Sequence, residues 1–234
     1  MTNARGPQKL TVLTSNSQRG VLSALGPAFE RSCGFALSVS YDPAQVMLRR
    51  IAAGESADVA ILGKAAIDTL VENGTLDGLT RRTLARCGTG IAVRTGAPMP
   101  DIGTIDALRH ALLEARSIIY TSEGASGMHF SGVIEQLGIA QAVEAKARRQ
   151  AGGLVAERVA SGEVELAVQQ IPELLAVTGV ELVGPLPPAV QAYSIITAAL
   201  FIDSAQRAVA QALLDFLATP AAMRVFRAQG LEPV

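Results

Sequence analysis

An α/β fold with parallel, doubly wound sheets is what this sequence predicts, on three observations. The stretch from Lys9 to Gly34 reads as strand, small polar loop, helix and stop. The same β-α unit then repeats twice more, and consecutive β-α units build parallel sheets. Finally, two Gly/Pro-rich joins, near 82–95 and 184–195, bracket a second β-α series.

Each element has a local reason. Leu10, Val12 and Leu13 make an apolar run of strand length, and Thr14-Ser15-Asn16-Ser17 follows as a loop. Val21, Leu25, Ala28 and Phe29 then fall near helical spacing, with Asn16 or Ser17 as the N-cap and Gly34 at the C-cap. Phe35 to Tyr41 alternates like a strand. Asp42-Pro43 reads as a helix start, Asp as N-cap and Pro at the first helical position, and the helix runs through Val46, Met47 and Ile51 to Gly54. ADVAILG is a strand buried on both faces, and Ala65 to Val71 is a helix closed by Asn73-Gly74.

In the second series a strand spans Gly90 to Val93, Thr104 caps a helix through Ala115, and SIIYT is a strand. The loop SEGASG then leads into a helix from about Met128 to Leu137, with Gly138 at its end. Ala151-Gly152-Gly153 opens a helix reaching Ala160, and VELAVQQI is a strand. After Gly184 three prolines precede a β-branched strand. Ser204 then starts a helix carrying Val209, Leu213, Leu214 and Leu217, and Thr219-Pro220 starts a terminal helix ending near Gly230.

Composition limits the function classes. A net charge of −1 gives none of the basic excess that a nucleic-acid footprint wants. No apolar run reaches the length of a membrane span. The start, MTNARGPQKL, lacks the apolar core of a secretory leader, so the reading is cytoplasmic, or periplasmic with a leader removed. Two cysteines, Cys33 and Cys87, and two histidines, His110 and His129, are too few and too scattered for a zinc motif or a disulfide framework. No metal and no cofactor is expected.

Five pieces in order resemble the periplasmic substrate-binding proteins, and among them the molybdate-binding proteins of ABC importers. They are KLTVLTSNS, LRRIAAGESADVAIL, YTSEGASG, LVAERVASGEVELAV and ALLDFLATPAAMRVFRAQGLEP. The resemblance implies a monomer of two lobes, 8–84 with 194–234 and 85–193, joined by two hinge crossovers and closing on a ligand in the cleft. It also implies an importer permease as partner. Carried over by position, the ligand loops fall at Ser15, Asn16 and Ser17, at Tyr41 to Gln45, at Ala125 to Gly127, at Gly152-Gly153 and at Gln169-Gln170. Gln169 and Gln170 alternate in direction along a strand, so one of them faces the cleft.

The departures from that family point away from molybdate. Its serine-rich second loop is replaced by Asp42-Pro43-Ala44-Gln45, and its late tyrosine by Gln170. Arg19, Tyr41, His129 and the glutamines stand instead around the expected cleft, and a guanidinium suits bidentate carboxylate recognition. The reading is a solute-binding protein for a small organic anion, with Ser15, Asn16, Ser17, Arg19, Tyr41, Gln45, Ser126, Gly127, Gly152, Gly153 and Gln170 as ligand contacts. The alternative is an isomerase on the same scaffold, of the aconitate type, with His129 as its base.

Overall fold

The computed structural model describes residues 8–234. The segment on which the leader reading rests lies mostly outside these residues. The chain divides into two units. Unit 1 holds the chain up to Ala85, Ile195–Ala228 and Glu232–Val234, and unit 2 holds Arg86–Ser194 and Gln229–Leu231.

Unit 1 opens with β1 (Lys9–Thr14), α1 (Arg19–Cys33), β2 (Ala36–Tyr41), α2 (Ala44–Ala52), β3 (Val59–Gly63) and α3 (Lys64–Glu72). A long strand, β4 (Arg82–Arg94), carries the chain into unit 2. There follow α4 (Ile105–Glu114), β5 (Ile118–Thr121), α5 (Ala125–Gln136), α6 (Ala140–Glu144), β6 (Ala147–Gln150), α7 (Glu157–Ala160), β7 (Leu166–Gln170), α8 (Ile171–Leu175) and β8 (Val180–Pro185). β9 (Tyr193–Leu200) returns the chain to unit 1, which ends with α9 (Arg207–Leu217), α10 (Pro220–Ala228) and the short β10 (Glu232–Pro233).

The fold is mixed α/β with mostly parallel strands at the centre of each unit. β1 pairs in parallel with β2 and β3, and β5 pairs in parallel with β6 and β7. The strands that cross between units run the other way: β9 is antiparallel to β3, and β4 is antiparallel to β7 and β8. Each unit has its own core. In unit 1 Leu13, Met47, Leu62, Ile67, Leu70 and Phe201 pack together. In unit 2 Tyr120, Phe130, Ile134, Leu112 and Val168 do so.

Several local readings hold. Gly34 caps α1 with φ of 75°, and Thr104 accepts the Ala107 N–H at 3.1 Å. Others are corrected. Neither Asn16 nor Ser17 caps α1; a 3-10 turn (Asn16–Gln18) precedes the helix, and the hydroxyls of Ser15 and Ser17 bond each other at 2.8 Å. Asp42 does not cap α2, whose N-cap is Pro43, because Arg50 draws the Asp42 carboxylate away into an ion pair. The helix expected to open at Ala151 begins only at Glu157, since Gly152-Gly153 stays a loop. α5 starts earlier than expected, at Ala125, and α9 later, at Arg207. The Ser204 hydroxyl is spent on Asp58 at 2.7 Å. The strand read over Gly90 to Val93 is the end of thirteen-residue β4. β6 and β8 were not legible: β6 reads Ala-Arg-Arg-Gln, with no apolar alternation.

Candidate functional site

The candidate residues fall on two sets of loops, one in each unit. In unit 1 they gather at the carboxyl ends of β1 and β2, whose register puts Thr14 opposite Tyr41. Buried Thr14 donates to the Ile61 carbonyl at 2.7 Å and fixes the end of β1. The turn that follows buries Asn16, Ser17 and Gln18, while Ser15 stays half-buried. Ser17 is only 1% exposed, and its hydroxyl is shared between Ser15 and the Gln18 amide, which donates at 3.3 Å. The more accessible hydroxyl of the loop is therefore Ser15.

Arg19 is the first residue of α1. Its guanidinium stacks on the Tyr41 ring, 4.2 Å from the centroid, a cation–π arrangement. Nη2 donates weakly to Asn16 Oδ1 at 3.4 Å, and the buried Nε has no acceptor among the described residues. Burial raises the Tyr41 phenol above its ordinary pKa, and the Arg19 charge opposes that shift. Tyr41 therefore stays a neutral platform. Gln45 lies exposed on the first turn of α2 and is not drawn into this group.

In unit 2 the amino end of α5 presses on the carboxyl end of β5. A Cβ on Gly127 would stand 1.6 Å from the Thr121 carbonyl oxygen, and one on Gly124 2.3 Å from Thr121 Oγ1, so both positions need glycine. Ser126 is buried there, and Thr121 Oγ1 is buried with no partner among the described residues. A helix start of this kind offers N–H groups and the positive end of the dipole to an anion. His129, one turn on, puts Nε2 2.8 Å from the Val190 carbonyl. Nε2 must therefore carry the hydrogen, which leaves Nδ1 as the basic nitrogen.

The second loop of unit 2 is the Gly152-Gly153 turn after β6. Gly153 has φ of 86°, a value that favours glycine. Gln150 donates to the Gly152 carbonyl at 2.5 Å, and Gln169 donates to the Gly153 carbonyl at 2.8 Å. Gln170 donates to Ser194 at 2.8 Å. The alternation expected of the pair separates their partners, yet both are buried, at 1% and 7% exposure.

Sequence reasoning missed Thr121, Gln150, Ser194 and Glu173. The last is a carboxyl buried on α8 whose pKa burial pushes up to about 8, against hydrogen bonds from Gln169 and the Gln170 backbone. Its only sequence signal is an acid three residues beyond a glutamine pair. Among the described residues no group of three or more His, Cys, Asp or Glu side chains is placed to hold a metal ion.

A helix-flanked, mostly parallel sheet with small polar loops at strand ends is the architecture of periplasmic binding proteins. Residues 10–232 match the family of bacterial extracellular solute-binding proteins, and the chain belongs to that family. In structure it is similar to the periplasmic molybdate-binding protein of Azotobacter vinelandii, with a TM-score of 0.79, 19% identity and coverage of 95% of this chain and 98% of that one. It is also similar to the sulfate-binding protein of Mycobacterium tuberculosis, with a TM-score of 0.75, 20% identity and coverage of 97% and 87%. A curated relative from a Pseudomonas species, named aconitate isomerase, is 35% identical over 231 residues, covering 96% of this chain and 88% of that one.

Proposed function

We propose that the protein recognises a small polycarboxylate and that Arg19 is the group that reads one of its carboxylates. The observation that carries this reading is the guanidinium itself, stacked on Tyr41 with a buried Nε that lacks an acceptor. Leaving a buried donor unmade costs free energy. A carboxylate is the acceptor whose two oxygens match the fork of Nε and Nη. Ser15 and Asn16 stand beside it as neutral donors. In unit 2 the start of α5, with Ser126, and the Gly152-Gly153 loop would offer neutral donors of their own to an anion, whereas the Gly127 N–H is spent on the Gly124 carbonyl at 3.1 Å. As an extracellular solute-binding protein it would work outside the cytoplasmic membrane and deliver its ligand to an importer permease.

Calorimetric titration with citrate, cis- and trans-aconitate, molybdate, sulfate and phosphate tests the ligand class. Carboxylates are expected to bind and the inorganic oxyanions not. Tight molybdate or sulfate binding that survives Arg19→Ala would overturn it.

The relative named aconitate isomerase supports a second reading, catalysis on the same ligand. A base takes a methylene proton next to a carboxylate of aconitate, leaving a dienolate. Return of a proton to the other end of the allylic unit moves the double bond, so no atom is gained or lost. His129 would act through Nδ1, since Nε2 is committed to Val190. Proton NMR of cis-aconitate incubated with the protein decides it: growth of trans-aconitate signals is expected, and an unchanged spectrum after long incubation removes the catalytic reading while leaving binding intact.

A further inference from the structure

The Gly152-Gly153 loop leaves the end of β6, and two glutamine side chains hold it. β6 and β7 flank β5, each in parallel register with it. Gln150 ends β6, and its Nε2 donates to the Gly152 carbonyl at 2.5 Å. Gln169 lies on β7, and its Nε2 donates to the Gly153 carbonyl at 2.8 Å. The oxygen of each amide is occupied as well. Gln169 Oε1 accepts the Val155 N–H at 3.1 Å, and Gln150 Oε1 accepts Arg158 Nε more weakly at 3.4 Å. A donor thus faces each oxygen, so the nitrogen of each amide is the atom that faces the glycine carbonyl. A flipped amide would set oxygen against oxygen.

Two consecutive glycines leave the peptide planes of the loop free to rotate, since neither residue has a Cβ to favour one side. Which edge of each plane stays open is therefore set by what the loop is bonded to. The glutamines take both carbonyls. The N–H groups of Gly152, Gly153 and Leu154 have no acceptor among the described residues, and all three residues are half-buried. The loop spends its acceptors on the protein and keeps its donors. A carbonyl oxygen turned the other way would repel a carboxylate, whereas successive N–H groups attract one.

We infer that Gln150 and Gln169 are positioning residues that make the Gly152-Gly153 loop a donor-only surface for an anion. This deepens the proposed ligand reading and rests on it for the identity of the anion, but not for the orientation of the loop. Both glutamines act through the backbone of the loop, one from each strand that flanks β5.

Methionine, close to glutamine in length but with no amide, tests each clamp in the ligand-free protein. In Gln150→Met the carbonyl carbon resonance of Gly152 should move upfield, and in Gln169→Met that of Gly153, while Ile118 at the start of β5 stays unmoved. Gln169→Met should also speed hydrogen exchange of the Val155 amide at least about tenfold. A glycine carbonyl resonance that stays in place in its variant overturns the inference. Should Gln169→Met not fold, the wild-type protein decides. The Nε2 hydrogens of Gln169 should exchange at least about tenfold more slowly than those of exposed Gln45, and equal rates overturn the inference. In the ligand arm, calorimetry with trans-aconitate should find binding weakened about tenfold in each methionine variant. Wild-type affinity in either variant would equally overturn it. If the wild-type protein binds no carboxylate at all, the ligand reading alone falls, because the resonance and exchange measurements need no ligand.

Discussion

Arg19 shows how a single side chain acquires a role from its surroundings. At the head of α1 in an extended peptide it would be a solvated first-turn residue. Here the Tyr41 ring under it and the burial of Nε hold it in one orientation. Truncating one partner of a desolvated charge pair costs about 2–4 kcal/mol, so Arg19→Ala should weaken carboxylate binding by that amount in calorimetry. Ser17→Ala should act on the fold instead. Its hydroxyl is buried and bonded within the loop, and its loss should cost about 1 kcal/mol in denaturant unfolding.

Glu173 makes a pH prediction at the same scale. Unfolded, it titrates at its ordinary 4.5, and folded at about 8. Below the lower value both states hold the proton. Between the two values only the folded state holds it, so this group lowers stability as pH rises through that window, by at most about 1.4 kcal/mol per pH unit. Wild-type stability minus that of Glu173→Gln should therefore fall from about pH 5 to about pH 8. A flat difference would contradict the burial argument.

At the scale of elements, α5 carries two glycines with opposite expectations. Gly127 lies against the Thr121 carbonyl, with no room for a Cβ, whereas Gly132 is exposed in mid-helix with nothing within 4 Å. Gly127→Ala must push the helix off β5 and should destabilise by about 3 kcal/mol. Gly132→Ala relieves backbone entropy and should stabilise by about 0.5–1 kcal/mol. Thermal denaturation of the two variants tests both signs. α1 makes a related point about local rules. Pro27 lies inside it, yet the helix continues to Cys33, held by Phe29 packing against Phe216 with centroids 5.5 Å apart. Burial of that face outweighs the lost backbone bond.

At the scale of the molecule, ligand linkage gives the broadest test. A ligand that binds only the folded protein raises its stability by RT ln(1 + [L]/Kd), about 2.7 kcal/mol at a hundredfold excess over Kd. Aconitate isomers or citrate should therefore raise the melting temperature measured with an external dye, and molybdate should leave it unchanged. The chain contains no tryptophan, so intrinsic indole fluorescence cannot report it.

The sequence alone determined the β-α order, the parallel centres of the sheets, the caps at Gly34 and Thr104, and the loops that end β1 and β5. These are legible because hydrophobic period, capping chemistry and glycine are local, each acting over about one turn of helix or one strand. Tertiary structure decided the rest. β6 is a strand because β5 pairs with it, not because Ala-Arg-Arg-Gln prefers to be one. Asp42 loses its cap to Arg50, eight residues on. His129 meets Val190 across 61 residues, and Gln169 meets Val155 across 14. Burial of Ser17, Arg19 Nε and Glu173 likewise depends on which elements close over them. Those contacts set which polar groups are spent on the fold and which are left for a ligand, and no local pattern encodes a partner so distant along the chain.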